Sequence, residues 1–203
     1  MTTKFFAALF TVAYLGFTVY QCRGLRLNTK SLCLGAIAIA MTCILSCILI
    51  PLPTGASISC GSWLPLMVLA LVYDHRLAIV SGMVCGCLAP LILPGWSLVH
   101  WAQFFLEYLV IFSSMGYAGI LGYKRRSSII LATSLSICVR IIAQILSGVI
   151  FFGQYAWEGW GAWGYCLVFH LTSKIPEGIL TILILISLPL SRLSKLATGG
   201  HEK

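Results

Sequence analysis

Charge is nearly missing from this chain. Lysine, arginine, aspartate and glutamate make up 9% of its 203 residues, and only five of those side chains are acidic; soluble domains carry roughly 25% charged residues. With 60% hydrophobic residues and a mean hydropathy of +0.99, the composition excludes an ordinary soluble domain and identifies an integral membrane protein. Catalytic signatures are missing too. No HExxH, GxSxG or paired aspartates occur, which speaks against an enzyme. No GxxxxGK followed by Ser or Thr occurs either, so any use of ATP falls to other subunits. The nine cysteines form no CxxC pair, and Cys43, Cys47, Cys85, Cys87 and Cys138 lie within apolar runs. They read as small buried hydrophobes, so neither a metal site nor a disulfide framework is expected, and no cofactor is. No long linker, low-complexity tract or soluble domain interrupts the chain, which points to one compact membrane domain.

What the chain does have is long apolar runs. A helix needs about 20 apolar residues to cross a bilayer, where no water satisfies an unpaired backbone. Seven runs stand out: Phe5 to Gln21, Ser31 to Ile50, Ser62 to Val72, Leu77 to Leu93, Trp101 to Tyr123, Ser128 to Phe152 and Trp163 to Leu190. The third is short. The net charge of +8 is no sign of nucleic acid, because most of the basic residues cluster in alternate loops: Arg23, Arg26 and Lys30; His75 and Arg76; Lys124, Arg125 and Arg126; Arg192 and Lys195. The positive-inside rule places those loops in the cytoplasm. Pro51 to Gly61, Pro94 to His100 and Gly153 to Ala162 then lie outside, and the first run begins outside. Phe5 to Gln21 has a thin positive flank and no clean cleavage site, so it reads as a retained helix rather than a signal sequence.

Helical spacing locates the chemistry. Arg140, Gln144, Gly148 and Phe152 recur every four residues and form one stripe from mid-membrane to the outer surface. Glu107 and Tyr108 lie about two turns below His100 and Trp101, near the depth of that stripe. On the last run His170, Lys174 and Glu177 share a face, with Tyr165 about one turn above. Ionisable groups at membrane depth are costly, and they face a partner or a cavity. Alternatives stay open at each position. Arg140 with Glu107, and Lys174 with Glu177, could be structural pairs; Gly148 could serve helix packing as well as a ligand; Trp157, Trp160 and Trp163 could be interfacial anchors or a lid.

At this point the residues carry a resemblance. GVIFFGQY from Gly148 to Tyr155, the following AWEG, Tyr165 and the Ile175-Pro176-Glu177 turn resemble the last third of the thiamine-specific substrate-binding (S) component of energy-coupling factor (ECF) transporters. QFFLEYLVIF around Glu107 and ISCGSWLPLMVLALVYDHRLAIVSG before it are similar to that family in order and spacing. The resemblance covers roughly Thr29 to Leu190. It implies an all-α polytopic membrane protein, a six-helix S-component-like bundle, to which this chain adds one N-terminal transmembrane helix. The corresponding divisions are an extra helix over 1–22, an S-component membrane domain over 23–195 and a cytoplasmic tail over 196–203.

The resemblance also implies a binding site. The family's acid and its aromatic neighbour fall on Glu107 and Tyr108, its glycine on Gly148, and its loop-proximal tyrosine on Tyr165. Its basic residue falls on Arg140, where lysine is expected. Gln144 stands in place of a histidine, Phe152 in place of a tryptophan and His170 in place of an asparagine. For the loop aromatic that covers the ligand, Trp63 is the nearest match. The implied ligand is thiamine or a related pyrimidine or thiazole compound. The implied partners are an ECF transmembrane coupling subunit and two ATPase subunits, in the bacterial cytoplasmic membrane. Ala36 and Ala40 form a small-residue strip of the kind S components use to dock the coupling subunit; internal packing is the competing use. A stand-alone carrier or channel would instead use Glu107, Arg140, His170, Lys174 and Glu177 as an ion path. The two halves of the chain show no repeat of the kind such carriers often have.

Overall fold

Two residues per helix start settle much of the register. Asn28 accepts the backbone N–H of Ser31 at 2.7 Å while the Ser31 hydroxyl accepts the N–H of Asn28 at 2.9 Å, a reciprocal cap that opens α2 (Thr29–Ser46). Asp74 accepts the N–H of Arg76 at 2.8 Å and opens α4 (His75–Ile92). Both caps sit in the basic loops, so these helices start at one end of the bundle and run toward the other.

The computed structural model describes residues 2–59, 61–94 and 98–198. Residues 199–203 of the expected tail, and 95–97 within the expected Pro94 to His100 loop, lie outside the described residues. The chain is an all-α polytopic membrane protein: among the described residues, one helix, α1 (Thr2–Cys22), stands in front of six helical segments, and a short helix follows them. Among the described residues, five helices are long and apolar enough to cross a membrane: α1, α2, α4, α7 (Arg126–Phe151) and α8 (Ala162–Ser187).

The other two segments depart from simple spans. The helix α3 (Leu64–Val72) has nine residues, about 14 Å of rise, so it is surrounded by protein rather than crossing alone. Leu66 and Met67 are fully buried. The run from Trp101 is not one continuous α-helix. It is α5 (Trp101–Gln103), a π-helical turn over Phe104–Leu109, α6 (Val110–Ser114) and a 3₁₀ turn over Met115–Gly119. Ser113 and Ser114 donate to the carbonyls of Leu109 and Ile111, at 2.5 and 2.8 Å, a back-bonding pattern that competes with regular helix geometry.

Close backbone approach fixes this broken segment against α4. A Cβ on Gly82 would strike the Phe112 carbonyl, and one on Gly86 the Tyr108 carbonyl. These two glycines, one turn apart, let α4 lie against residues 108–112, as small residues do in membrane interfaces. Glu107 is thereby held at a fixed depth.

Two features were not expected from the sequence. The stretch between α2 and α3 forms a hairpin of β1 (Leu49–Pro51) and β2 (Ser57–Ser59), antiparallel with Ile50 opposite Ile58. The C-terminal segment continues as α9 (Leu190–Thr198), which packs back on α3. Between Phe152 and α8 the connection holds a 3₁₀ turn over Gly153–Tyr155.

Candidate functional site

The π-helical turn puts one extra residue into the ladder, and it falls where Glu107 must turn toward α7. There the Glu107 Oε2 accepts the Ser147 hydroxyl and the Gln103 Nε2, each at 2.7 Å. Gln103 is itself held by the Val99 N–H, which donates to its Oε1 at 2.8 Å. Among the described residues, both hydrogen bonds to the carboxylate end on Oε2, which leaves Oε1 for a ligand. No ion pair between Glu107 and Arg140 forms among the described residues.

Arg140 has a different setting. It is 3% exposed, its guanidinium lies 4.6 Å from the Trp63 ring centroid and 5.8 Å from that of Phe112, and one nitrogen donates to the Ile111 carbonyl at 3.4 Å. Trp63 and Phe112 thus sandwich a buried cation by their π faces. The Arg140 Nε and the Gln144 Oε1 have no hydrogen-bond partner among the described residues.

On α8, Lys174 donates to Glu177 at 3.2 Å, and the Ser59 hydroxyl donates to the other Glu177 oxygen. Ser59 also bonds Ser62 at 2.7 Å. Glu177 is therefore a structural post: it neutralises Lys174 and ties the end of the β-hairpin to α8.

These elements enclose a cavity of about 340 Å³, a size typical of small-ligand pockets, lined by groups from α5, the π turn, α7, α8 and the hairpin. The polar walls are Glu107 and Gln103 on one side and Arg140, Gln144, His170 and Lys174 on the other; Phe112, Phe152 and Phe169 supply aromatic surface. The site offers one carboxylate, fixed cations and flat apolar faces. That suits recognition of a small heteroaromatic molecule by charge, hydrogen bonds and stacking.

The family model described as thiamine transporter protein (Thia_YuaJ) matches residues 32–197. The chain belongs to that family. It is a multi-pass membrane protein of the thiamine transporters, and the matched span holds every cavity-lining group but leaves out α1. The thiamine transporter ThiT of Bacillus subtilis (strain 168) is 24% identical over 154 residues, which cover 70% of this chain and 79% of that protein. A solved structure of ThiT from Listeria monocytogenes superposes with a TM-score of 0.70 at 25% identity, covering 82% of this chain and 96% of that one.

Of the residues singled out from the sequence, the thiamine-transporter fold brings Glu107, Arg140, Gln144, Phe152, His170 and Lys174 to the cavity wall. The others stand behind it. Tyr108 is fully buried, stacked on Phe104 at 6.2 Å. Trp63 is the buried support beneath Arg140. Tyr165 packs edge-on against Trp157 at 5.1 Å and at a tilt against Phe169 at 5.5 Å. Gly148 lets α8 side chains pack close against α7, since a Cβ there would lie 3.0 Å from the Cys166 sulfur and 3.1 Å from the His170 Nε2. Ala36 and Ala40 are on the exposed face of α2. Sequence reasoning missed Gln103, Ser147, Phe169 and Ser59. Gln103 and Ser147 carry a signal in retrospect: Gln103 is one helical turn before Glu107, and Ser147 flanks the stripe residue Gly148.

Proposed function

We propose that this chain is the substrate-binding S component of an ECF-type transporter, binding thiamine in a cavity open to the outside of the bacterial cytoplasmic membrane. The observation that carries the reading is Glu107, a half-buried carboxylate in the wall of an aromatic-lined cavity whose hydrogen bonds to Gln103 and Ser147 both end on Oε2, in a member of the thiamine transporter family. Thiamine is a cation with two flat rings, so a desolvated carboxylate for its charge and amine, with ring faces for stacking, is what it needs. Cation–π contacts each contribute about 0.5 to 2 kcal/mol. Glu107, Gln144, His170 and Phe152 touch the ligand in this reading; Arg140 sets the polarity of the floor, and Tyr108, Gly148, Tyr165 and Trp63 shape the cavity from behind.

Orientation is supported by charge. The basic groups Arg23, Arg76, Lys124, Arg125 and Arg126 gather at the end opposite the cavity, where the Arg76 guanidinium donates to the Arg23 carbonyl at 3.4 Å. Positive loops stay in the cytoplasm, so the cavity faces out. The coupling-subunit surface is the exposed α2 face: Ala36 and Ala40 are flanked there by Leu32, Ile37, Met41 and Ile44, each about half exposed or more, a smooth apolar strip open to a second helix. Residues 23–195 act as the transporting domain, and the energy comes from two separate ATPase subunits.

The experiment is thiamine uptake in a thiamine-requiring bacterium without a thiamine transporter of its own. Uptake is expected when the chain is co-expressed with the coupling and ATPase subunits and is expected to vanish when the ATPase subunits are inactivated. Full uptake by the chain alone would overturn the ECF assignment in favour of a stand-alone carrier.

A further inference from the structure

A second crevice lies on the outer surface of the bundle, at the same end as the cavity, between α1 and the elements that follow residue 99. Its volume is about 490 Å³, and its lining is almost wholly apolar. It exists because α1 presents short side chains here. Ala8 leaves space, and the Thr11 hydroxyl is consumed by a 2.7 Å bond to the Ala7 carbonyl, so Thr11 offers only its methyl. The opposite wall is aromatic, from Phe105 and Phe151. Trp101, 72% exposed, marks the level of the membrane interface, where tryptophan concentrates.

The polar end of this crevice is not neutral. Lys4 and His100 both line it. The His100 Nδ1 accepts the Ala102 N–H at 3.1 Å, and the ring is stacked on Phe151 at 5.6 Å. With Nδ1 accepting, the proton of the neutral ring is on Nε2, which serves as a donor in a fixed ring. An ammonium and an imidazole N–H above a long apolar slot, at interfacial depth, match one chemistry: a phosphodiester above an acyl chain.

We propose that this crevice is a binding site for one anionic phospholipid, with an acyl chain between α1 and Phe105/Phe151 and the headgroup phosphate at Lys4 and His100. Half of the site is supplied by α1, which lies outside the span matched by the thiamine transporter family, so the site belongs to this chain's added helix and not to the vitamin cavity. The lipid would act as the mortar between α1 and the bundle. Below it, α1 is fastened by direct bonds: Tyr14 to Ser113 at 2.9 Å and Thr18 to Tyr117 at 2.8 Å.

The test is native mass spectrometry of the full chain released from nanodiscs holding equal amounts of phosphatidylglycerol and phosphatidylcholine. The wild type is expected to retain one phospholipid, with phosphatidylglycerol favoured about five-fold, the worth of one cation at a membrane surface. Ala8→Trp, which fills the slot from an exposed position, is expected to lose the retained lipid, and Lys4→Gln to keep a lipid but lose the preference. Unchanged helix content by circular dichroism verifies that both variants fold. Equal retention by wild type and Ala8→Trp would overturn the proposal, as would a second copy of the chain in place of lipid. No preference for phosphatidylglycerol in the wild type would overturn the headgroup assignment.

Discussion

Replacing Glu107 with glutamine changes one atom and one charge, and its consequence can be worked from the local bonds. In the wild type, Gln103 and Ser147 donate to Oε2. An amide at 107 must keep its oxygen toward Gln103, because turning its NH₂ there would set donor against donor, and the Ser147 hydroxyl then keeps its bond to the same oxygen. The NH₂ then points into the cavity, where a cationic ligand with an exocyclic amine requires an acceptor. The variant thus loses the charge and presents the wrong polarity as well. Removing one partner of a buried charged contact costs about 2 to 5 kcal/mol. Taking about 3 kcal/mol, affinity falls roughly 100-fold at 1.4 kcal/mol per tenfold. Folding is spared, since the oxygen that holds Gln103 and Ser147 remains. The assay is equilibrium titration of purified wild type and Glu107→Gln with thiamine, alongside thermal unfolding of both. A loss under about five-fold, on the order of 1 kcal/mol, with unfolding unchanged, would refute the role of this carboxylate as the anchor. If transport were lost at the same time, the acid would be handling protons, as in a carrier.

The remaining expectations follow from neighbouring contacts. Phe152→Leu removes one ring face from the cavity wall and is expected to weaken thiamine by about 0.5 to 1.5 kcal/mol, less than Glu107→Gln in the same titration. Glu177→Gln leaves Lys174 buried without its counter-charge and weakens the Ser59 tie; breaking a buried pair costs about 3 to 5 kcal/mol, so thermal unfolding should shift down strongly, and an unchanged midpoint would show the pair to be dispensable. Ala36→Trp or Ala40→Trp should block uptake in cells while the isolated chain binds thiamine normally; loss of binding as well would make the strip internal packing.

How much of this was legible in the sequence depended on periodicity. Arg140, Gln144 and Gly148 could be aligned because α7 is a regular helix as far as Phe151, and four-residue spacing survives intact in such a helix; Phe152, its C-cap, stays on the stripe although it lies just past the helix end. Glu107 could be given a depth but not a direction. It sits in a π-helical turn, where the ordinary angle per residue fails, so neither its approach to Ser147 nor the turning of Tyr108 into the core followed from spacing. The third run's shortness was visible, whereas the breaks after Trp101 were not, because Ser113, Ser114 and the nearby glycines are also common in unbroken membrane helices. The hairpin over Leu49–Ser59 lacks the alternation of a half-buried strand, and its anchorage to Glu177 is a contact between residues 118 positions apart. Long-range pairs of that kind leave no trace in a single sequence. The family resemblance supplied the identity of the ligand class, which composition and spacing alone did not contain.

The central claim is that the cavity at Glu107 binds thiamine. Isothermal titration of the purified chain with thiamine, set beside riboflavin and biotin under the same conditions, tests it most directly. The result expected is saturable binding of one thiamine per chain at about micromolar affinity or tighter, roughly −8 kcal/mol or more favourable, with no heat from the other two vitamins. Absence of thiamine binding in a folded preparation, or equal binding of riboflavin or biotin, would contradict it.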